Sequence, residues 1–212
     1  MKCLIASDIH GSAYWAKYLA KAIEQQQPDK IVLLGDLLYH GPRNDLPKEY
    51  DPKQVITLLN KLSKTGKVLA VRGNCDAEVD QMVLDFPCMA DYAQMVDAQM
   101  VDDQGRTLFF THGHIYGTGL HGNSMNMPQL PEGSAFIYGH THIKVNEAMG
   151  KSASTDGSDK DAVAKRISDD SKVWVFNPGS VSLPKDNSNS VGIYDSAKPI
   201  NDAFSYLYLE DL

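Results

Sequence analysis

Three short apolar runs in the first part of the chain have the pattern of buried strands. They are "CLIAS" (3–7), "KIVLLGD" (30–36) and "KVLAVRGN" (67–74), and each ends in or is followed by glycine or charged residues. Continuous apolar runs of this length, bounded by turn residues, are typical of strands that are buried on both faces. The pattern therefore predicts three strands.

Helical patterns separate these runs. Apolar residues from Trp15 to Ile23 recur at the spacing of one helix face, and Ser12 precedes them as a candidate N-cap. A second helical pattern runs from Val55 to Leu62, after Asp51-Pro52 and before Gly66, which are start and stop signals of a helix. The resulting β-α-β-α-β order predicts parallel strands joined by right-handed crossovers.

The rest of the chain favours strands over long helices. After a short predicted helix at 77–86, strand patterns at 92–101 and 107–113 are joined by "DDQGR", which predicts a hairpin. Further strands are predicted at 134–138, 143–148, 172–177, 190–194 and 204–209. We interpret the chain as one domain, residues 1–212, with an almost wholly polar surface insertion at 150–171.

The composition limits the partners that we expect. Among 212 residues, 27 are acidic and 20 are basic, which gives a net charge of −7. This balance argues against binding to duplex nucleic acid or to anionic membrane surfaces. It does not argue against a phosphate substrate, because bound metal ions can reverse the local sign of the charge.

The three cysteines and the apolar segments indicate where the protein works. Cys3, Cys75 and Cys88 are odd in number and form no CxxC pair, so we predict no disulfide framework and a reducing compartment. The first apolar stretch is broken by Asp8, too early for a signal peptide, and no run of about 18 apolar residues occurs. We expect a soluble, cytoplasmic protein with no membrane contact.

Polar side chains gather where five predicted strands end. In α/β sheets, ligands bind beyond the carboxyl ends of the strands. Convergence of the five ends would bring together seven residues: Asp8, His10, Asp36, Asn74, His112, His140 and His142. We predict that these residues form a single site.

The stretch "YGHTHI" sharpens that prediction. If its backbone is extended, His140 and His142 face the same side of the strand, as residues two apart do. One aspartate or histidine after a strand is ordinarily a turn residue or a hydrogen-bonded structural group. Five such clusters together are better explained by metal binding.

The donor types suggest the metal and the number of ions. Imidazole, carboxylate and amide oxygen without thiolate suit manganese, iron or zinc. Seven ligands exceed the shell of one ion and fit two ions if one carboxylate bridges them.

The ordered motifs resemble a known family. The order D-x-H, G-D, G-N, H, G-H-x-H is similar to that of the calcineurin-like metallophosphoesterases, and within them to small bacterial phosphodiesterases. The resemblance covers residues 3 to about 195 and is carried by "SDIHGS" (7–12), "GDLLYHGPRN" (35–44), "VRGNCDAEVDQM" (71–82), "THGH" (111–114), "YGHTH" (138–142) and "FNPGSVSLPK" (176–185). It implies an α/β fold, a four-layer α-β-β-α sandwich of two mixed sheets with a dinuclear metal centre at one edge.

The resemblance also implies a ligand set. One divalent ion would be held by four residues: Asp8, His10, Asp36 and His142. The other would be held by Asp36, Asn74, His112 and His140, so that Asp36 bridges the two ions. Manganese is the ion expected from the subgroup, with iron, zinc or nickel as alternatives.

The implied activity is hydrolysis of small phosphodiesters by a hydroxide that the two metals hold, with Asp36, Asn74 and His112 as catalytic residues. By formal count the ions, two carboxylates and the hydroxide leave a surplus of about one positive charge, which a phosphodiester neutralises. The alternatives are a nucleotide or protein phosphomonoesterase on the same fold, and a non-catalytic protein-binding scaffold. The complete ligand set argues against the scaffold.

Four residues are candidate substrate contacts: His40, Arg43, Cys75 and His114. Arg43 can bind phosphate through two parallel hydrogen bonds, whereas the alternative role for His114 is to orient His112. Asp76 is a further candidate for such an orienting role, and the sequence favours a structural and a functional role for Asn177 equally. A homo-oligomer would fit the subgroup.

Two features depart from the family. Many members have histidine where this chain has Cys75, and a thiol is a weaker hydrogen-bonding group, so we expect diesters to be preferred over ordinary monoesters. The 150–171 segment is longer than the compact subgroup leads us to expect. We interpret it as a tolerated surface insertion, with a lid or an oligomer contact as the alternative.

Overall fold

The computed structural model describes residues 1–97, 105–149 and 173–212. Within these ranges the strands are β1 (Lys2–Ala6), β2 (Lys30–Leu33), β3 (Val68–Ala70), β4 (Tyr92–Asp97), β5 (Arg106–Thr111), β6 (Ala135–Ile137), β7 (Val145–Met149), β8 (Val173–Asn177), β9 (Ser190–Asp195) and β10 (Phe204–Tyr208). The helices are α1 (Ala13–Gln26), α2 (Pro52–Ser63) and α3 (Glu78–Val83), with 3-10 turns at Leu120–Gly122 and Leu209–Asp211.

The first sheet confirms the predicted β-α-β-α-β order. Its strand order is β10-β9-β1-β2-β3, and β1, β2 and β3 are parallel neighbours. β9 runs antiparallel to β1, and β10 runs antiparallel to β9. The carboxyl ends of the three parallel strands therefore lie at the same edge of this sheet.

Both long helices start at the predicted caps. The Ser12 side chain accepts the N–H of Trp15 at 3.3 Å, and the Asp51 side chain accepts the N–H of Gln54 at 3.2 Å. Each cap satisfies a backbone donor that has no partner inside the helix. The third helix is shorter than the predicted 77–86 span, because Leu84 already has extended backbone.

The second sheet has the order β4-β5-β6-β8-β7. β4 and β5 form the predicted antiparallel pair, with Asp97 opposite Arg106, while residues 98–104 lie outside the described ranges. β5, β6 and β8 are parallel, and β7 is antiparallel to β8. β7 begins at Val145 rather than the predicted 143, since the backbone N–H of Lys144 bonds to the Asp186 carboxylate.

The core confirms the layered α/β architecture of two mixed sheets. Inward-facing residues of both sheets, such as Ile5 and Phe110, share one buried cluster. The other face of the first sheet packs against α1 and α2 in a second cluster. On the far face of the second sheet, Phe109 and Phe136 pack against Tyr116 and other residues of the loop that follows β5.

Two further predictions concern the polar insertion and the absence of a membrane span. The polar insertion predicted at 150–171 lies in a stretch that the described ranges exclude. Within those ranges no helix is long and apolar enough to span a bilayer.

Candidate metal centre

Loops from both sheets meet at one edge of the molecule. The backbone N–H groups of Asp8 and His10, after β1, donate to the carbonyls of Gly35 and Asp36, after β2, at 3.1 and 2.9 Å. In the second sheet, the N–H of Gly139 donates to the carbonyl of His112 at 2.8 Å. Main-chain hydrogen bonds thus join the loop after β1 to the loop after β2, and the loop after β5 to the loop after β6.

Five of the seven predicted ligands have left-handed backbone. Their φ values are 59° for Asp8, 49° for His10, 54° for Asp36, 66° for His140 and 60° for His142. The expectation of extended backbone at His140 and His142 is therefore wrong: both follow β6 in a turn. Left-handed backbone at a residue other than glycine costs about 1–3 kcal/mol, and such strain concentrates at functional sites.

The two carboxylates are buried and only partly hydrogen-bonded. Oδ2 of Asp8 accepts the Ser7 hydroxyl at 2.6 Å and the N–H of His140 at 3.0 Å. Its Oδ1 is buried and accepts no hydrogen bond. Oδ1 of Asp36 accepts the N–H of Cys75 at 2.7 Å, while its Oδ2 faces imidazole nitrogens. Buried carboxylate oxygens without donors are costly unless a cation compensates them.

Three histidines have Nδ1 fixed by a backbone carbonyl. Nδ1 of His10 donates to the carbonyl of Tyr39 at 2.8 Å. Nδ1 of His112 donates to that of Leu34 at 2.7 Å, and Nδ1 of His142 to that of Leu183 at 2.6 Å. A carbonyl can only accept, so Nδ1 carries a proton, and Nε2 is the nitrogen that presents a lone pair once a metal ion replaces any second proton. This is the orientation in which protein histidines bind metal through Nε2.

The Nε2 atoms converge on the carboxylates. The Nε2 atoms of His10 and His142 lie 3.2 Å apart, and that of His142 lies 3.2 Å from Asp8 Oδ1. Two lone pairs at that separation repel, and a cation between them and the carboxylate removes the repulsion. Together with the donorless Oδ1 of Asp8, this donor set fits a divalent cation.

Asp36 lies between the two halves of the site. Its Oδ2 is 3.7 Å from Nε2 of His10 and 3.4 Å from Nε2 of His112. Donor atoms within 4.8 Å of one another form three groups: Asp8, His10 and His142; Asp8, Asp36 and His112; and His10, Asp36 and Cys75.

The electrostatics of the site favour positive charge. Burial lowers the pKa of His112, but the Asp36 carboxylate more than offsets this and raises it to about 9. Burial alone would raise the pKa of Asp8, yet the neighbouring His142 and His10 bring it well below its usual range. The carboxylates thus stay ionised and attract cations.

Asn74 and His140 complete the convergence. Asn74 Oδ1 lies 3.1 Å from Nε2 of His112. The ring of His140 is 5.1 Å from that of His112, and burial together with His112 lowers its pKa to about 4. His140 is therefore neutral at physiological pH and can act as a ligand.

A polar cavity of about 340 Å³ opens beside these residues. Arg43 and Cys75, two of the predicted substrate contacts, line it, as do four of the predicted ligands: Asp36, Asn74, His140 and His142. The lining also includes Lys185, which the sequence did not single out.

The other two predicted contacts lie elsewhere. The His40 ring packs against Tyr39 and Tyr50, with centroids 4.8 and 5.2 Å away. The His114 ring lies 5.4 Å from that of His112, and burial with His112 and His140 lowers its pKa to about 4. Because both nitrogens of His112 have other partners, the contact of His114 with it is between rings rather than through a hydrogen bond.

Cys75 is a neutral thiol beside the carboxylates. Burial and the Asp36 carboxylate raise its pKa to about 12. Its Sγ accepts a hydrogen bond from Nδ2 of Asn74 at 3.2 Å. A thiolate ligand is therefore disfavoured at neutral pH.

Sequence reasoning missed most of the segment that supports the site. The carbonyl of Asp8 accepts the hydroxyls of Ser180 and Ser182 at 2.9 and 3.1 Å, and Leu183 holds His142. Asn177 donates to the carbonyl of Gly139 at 2.9 Å. "FNPGSVSLPK" was visible as a motif, but its small polar residues do not indicate which distant loops they bind.

The fold and the motifs define a class of protein. Residues 1–198 match the family model of the calcineurin-like phosphoesterase superfamily domain. The chain therefore belongs to that superfamily, whose members are metal-dependent, and it is a phosphoric ester hydrolase.

Particular relatives are similar along the whole chain. Phosphodiesterase YfcE of Escherichia coli strain K12 is 39% identical over 212 residues, which cover 100% of this chain and 94% of YfcE. A solved structure of YfcE from E. coli, described as a phosphoesterase, aligns with a TM-score of 0.73 and 36% identity over 99% of this chain and all of the YfcE chain. An archaeal phosphodiesterase aligns with a TM-score of 0.55 and 19% identity over 98% of this chain and 99% of its own, which shows the shared fold alone.

Proposed function

We propose that this chain is a phosphodiesterase that hydrolyses small phosphodiesters with two divalent cations, manganese being the preferred ion. The observation that carries the proposal is the convergence of three Nε2 atoms, each oriented by a fixed Nδ1, on two buried carboxylates. The similarity to YfcE, which is named a phosphodiesterase, supports the same reaction. We expect residues 1–212 to act as one domain.

The donor groups divide into two sets around Asp36. One ion would be held by Asp8, His10, Asp36 and His142. The other would be held by Asp36, Asn74, His112 and His140. The near-equal distances from Asp36 Oδ2 to His10 and His112 support the bridging role of this carboxylate.

The donors are imidazole, carboxylate and amide oxygen, a set that suits manganese and other first-row ions rather than a thiophilic one. When bound, the ions supply two effects: they acidify a water so that it can attack phosphorus in line, and they stabilise negative charge on the phosphoryl oxygens. The chain itself has to hold the ions, orient the ester and exclude competing donors.

The remaining residues shape the ester site. Arg43 lines the cavity, which supports a role in which its guanidinium donates to a phosphoryl oxygen or an ester arm. Cys75, as a neutral thiol, is a poor proton donor to a leaving alkoxide. Esters whose leaving group departs without strong acid assistance are therefore the preferred substrates.

A chelation experiment tests the proposal. The purified protein is treated with EDTA and dialysed. It is then assayed on bis(4-nitrophenyl) phosphate, 4-nitrophenyl phosphate, nucleotides and phosphopeptides before and after adding manganese, iron, zinc or nickel. We expect activity to disappear with chelation, to return best with manganese, and to favour the diester. Unchanged diester hydrolysis by the metal-free protein would contradict the proposal, and a clear preference for nucleotides or phosphopeptides in the same assay would favour a phosphomonoesterase.

A further inference from the structure

Two cationic side chains share the cavity with the metal-site residues. Arg43 lies in the loop after β2 and Lys185 in the loop between β8 and β9, and both line the space of about 340 Å³. Their separation in sequence means that the fold, not local composition, brings them to the same cavity.

The backbone that carries each cationic side chain is hydrogen-bonded to residues at or next to the site. The N–H of Lys185 donates to the carbonyl of His142 at 3.0 Å. On the other side, Nδ2 of Asn44 donates to the carbonyl of His40 at 2.7 Å, which closes the turn that carries Arg43. That turn also brings Gly41 against Sγ of Cys75. The loops that line the cavity thus hold both residues at its edge.

Neither side chain has an anionic partner in the described ranges. Lys144, two residues after His142, pairs with Asp186 at 2.7 Å. Asp186, the neighbour of Lys185, is thereby occupied by Lys144. Among the described residues that line the cavity, Asp36 is the only carboxylate, and it faces the imidazoles.

The cavity therefore carries more positive charge than a simple diester needs. By the formal count above, the proposed metal centre has a surplus of about one positive charge, which the diester neutralises. Arg43 and Lys185 add two further cations in a chain whose net charge is −7. Both residues are exposed, so water solvates their charge in the free protein, and a second anion on the substrate would pair with them.

From this we infer that the substrate is a small phosphodiester with a second anionic group, a carboxylate or a phosphate, on one ester arm, and that Arg43 and Lys185 bind this group. The inference rests on the proposed phosphodiesterase function and adds the charge class of the substrate. A cavity of about 340 Å³ is at the small end of ligand sites, which fits a short arm rather than a polymer.

Four 4-nitrophenyl diesters with the same leaving group test the inference. Their second arms are propyl (neutral), 2-carboxyethyl, 2-phosphoethyl (both anionic) and choline (cationic). For the manganese-loaded parent we expect kcat/KM on at least one anionic arm to exceed that on propyl by at least about 10-fold, as for hydrogen bonds to charged groups. The two anionic arms distinguish carboxylate from phosphate recognition.

Substitutions at the two cations should change the selectivity in a defined direction. Lys185→Ala and Arg43→Gln are expected to reduce the ratio of anionic-arm to propyl kcat/KM by about 10-fold each. Lys185→Glu is expected to reverse the order, so that the choline ester exceeds the carboxyethyl ester. Lys198→Ala is the matched control, because Lys198 is exposed and lies far from the cavity. It follows the end of β9, where Asp195 lies opposite Lys2 in the sheet, and Lys2 is at the other end of β1 from the Asp8 loop.

A binding measurement provides a second readout. Isothermal titration of 2-carboxyethyl methylphosphonate and propyl methylphosphonate into the parent and Lys185→Glu is expected to show an affinity advantage for the carboxyethyl compound in the parent alone. Thermal denaturation confirms that the variants are folded.

The outcomes separate the two claims. Hydrolysis of all four esters at rates within about twofold by the parent would overturn the inference and leave the phosphodiesterase proposal standing. If none of the esters is hydrolysed with any of the four metals, the proposed function fails and the inference fails with it.

Discussion

The carboxylate of Asp76 accepts the backbone N–H of Asp36 at 2.8 Å. It also accepts the N–H groups of Leu37, at 2.8 Å, and Gly73, at 2.7 Å. One half-buried side chain thus joins the loop after β2 to the loop after β3, and it helps to hold Asp36 in its left-handed conformation. These three hydrogen bonds are a physical basis for interpreting Asp76 as an orienting residue.

Asp76→Ala should weaken metal binding without touching a predicted ligand. Three backbone donors lose their acceptor, and the Asp36 carboxylate is no longer held between His10 and His112. Loss of such outer hydrogen bonds typically costs about 10–100-fold in metal affinity. Titration of manganese into the chelated protein measures the change. Asp80→Ala is the control, because Asp80 also accepts a backbone N–H, that of Ala77 at 2.8 Å, but does not join the loop after β2 to the loop after β3. Equal affinities of Asp76→Ala and the parent would contradict the interpretation.

Gly139→Ala should disrupt the contact between the two sheets at the site. A Cβ at this position would lie 1.8 Å from the Ser7 hydroxyl and 2.9 Å from Oδ2 of Asp8, so one of the two loops must move. We expect a large drop in melting temperature and loss of metal-dependent activity. Gly133→Ala is the comparison: its Cβ meets nothing within 4 Å, and the substitution costs only the roughly 1–2 kcal/mol of its left-handed backbone. Similar melting temperatures for the two variants would show that the close packing at Gly139 is unimportant.

Asn177→Leu should destabilise the protein because it removes a buried set of hydrogen bonds. Its Nδ2 donates to Gly139 O at 2.9 Å and to Thr141 Oγ1 at 3.1 Å, and its Oδ1 accepts the N–H of Gly179 at 2.9 Å. Each buried group left unpaired costs about 1–3 kcal/mol, so we expect the free energy of unfolding to fall by roughly 3 kcal/mol or more in urea denaturation. Asn60→Leu, which loses comparable bonds at an exposed position, should cost less than about half as much, since water replaces them.

Cys75→His should shift the enzyme towards monoesters. The thiol is neutral and a weak hydrogen-bond donor, whereas an imidazolium can donate to a phosphoryl oxygen or to the leaving group. We expect the ratio of monoester to diester kcat/KM, measured with 4-nitrophenyl phosphate and bis(4-nitrophenyl) phosphate, to rise by about 10-fold or more. A parent that already hydrolyses the monoester as fast as the diester would remove the basis of this prediction.

Much of the fold follows from the sequence because strands such as β1 and β2 are almost fully buried. Runs such as 3–7 and 30–36 had to be apolar on both faces, and the caps Ser12 and Asp51 marked where the helices begin. The three strands of the β-α-β-α-β part end earlier than predicted. Leu34, for example, is apolar and buried but lies beyond β2, where its carbonyl accepts Nδ1 of His112.

The clustering of the predicted ligands could be foreseen from the sequence, but their backbone conformation could not. Ligand-type side chains after strand ends identify Asp8, Asp36 and His142. Their left-handed conformations are imposed by distant partners, such as the Ser180 hydroxyl on the carbonyl of Asp8, 172 residues away in the chain. No local pattern carries that information. The same holds for Lys185, whose place at the cavity depends on its backbone bond to His142.

The most direct test of the central claim is the metal content of the manganese-reconstituted parent after gel filtration, measured by inductively coupled plasma mass spectrometry. Two imidazole-rich donor sets joined through Asp36 predict about two manganese ions per chain. A protein that hydrolyses diesters at full rate while retaining one ion or none would contradict the account.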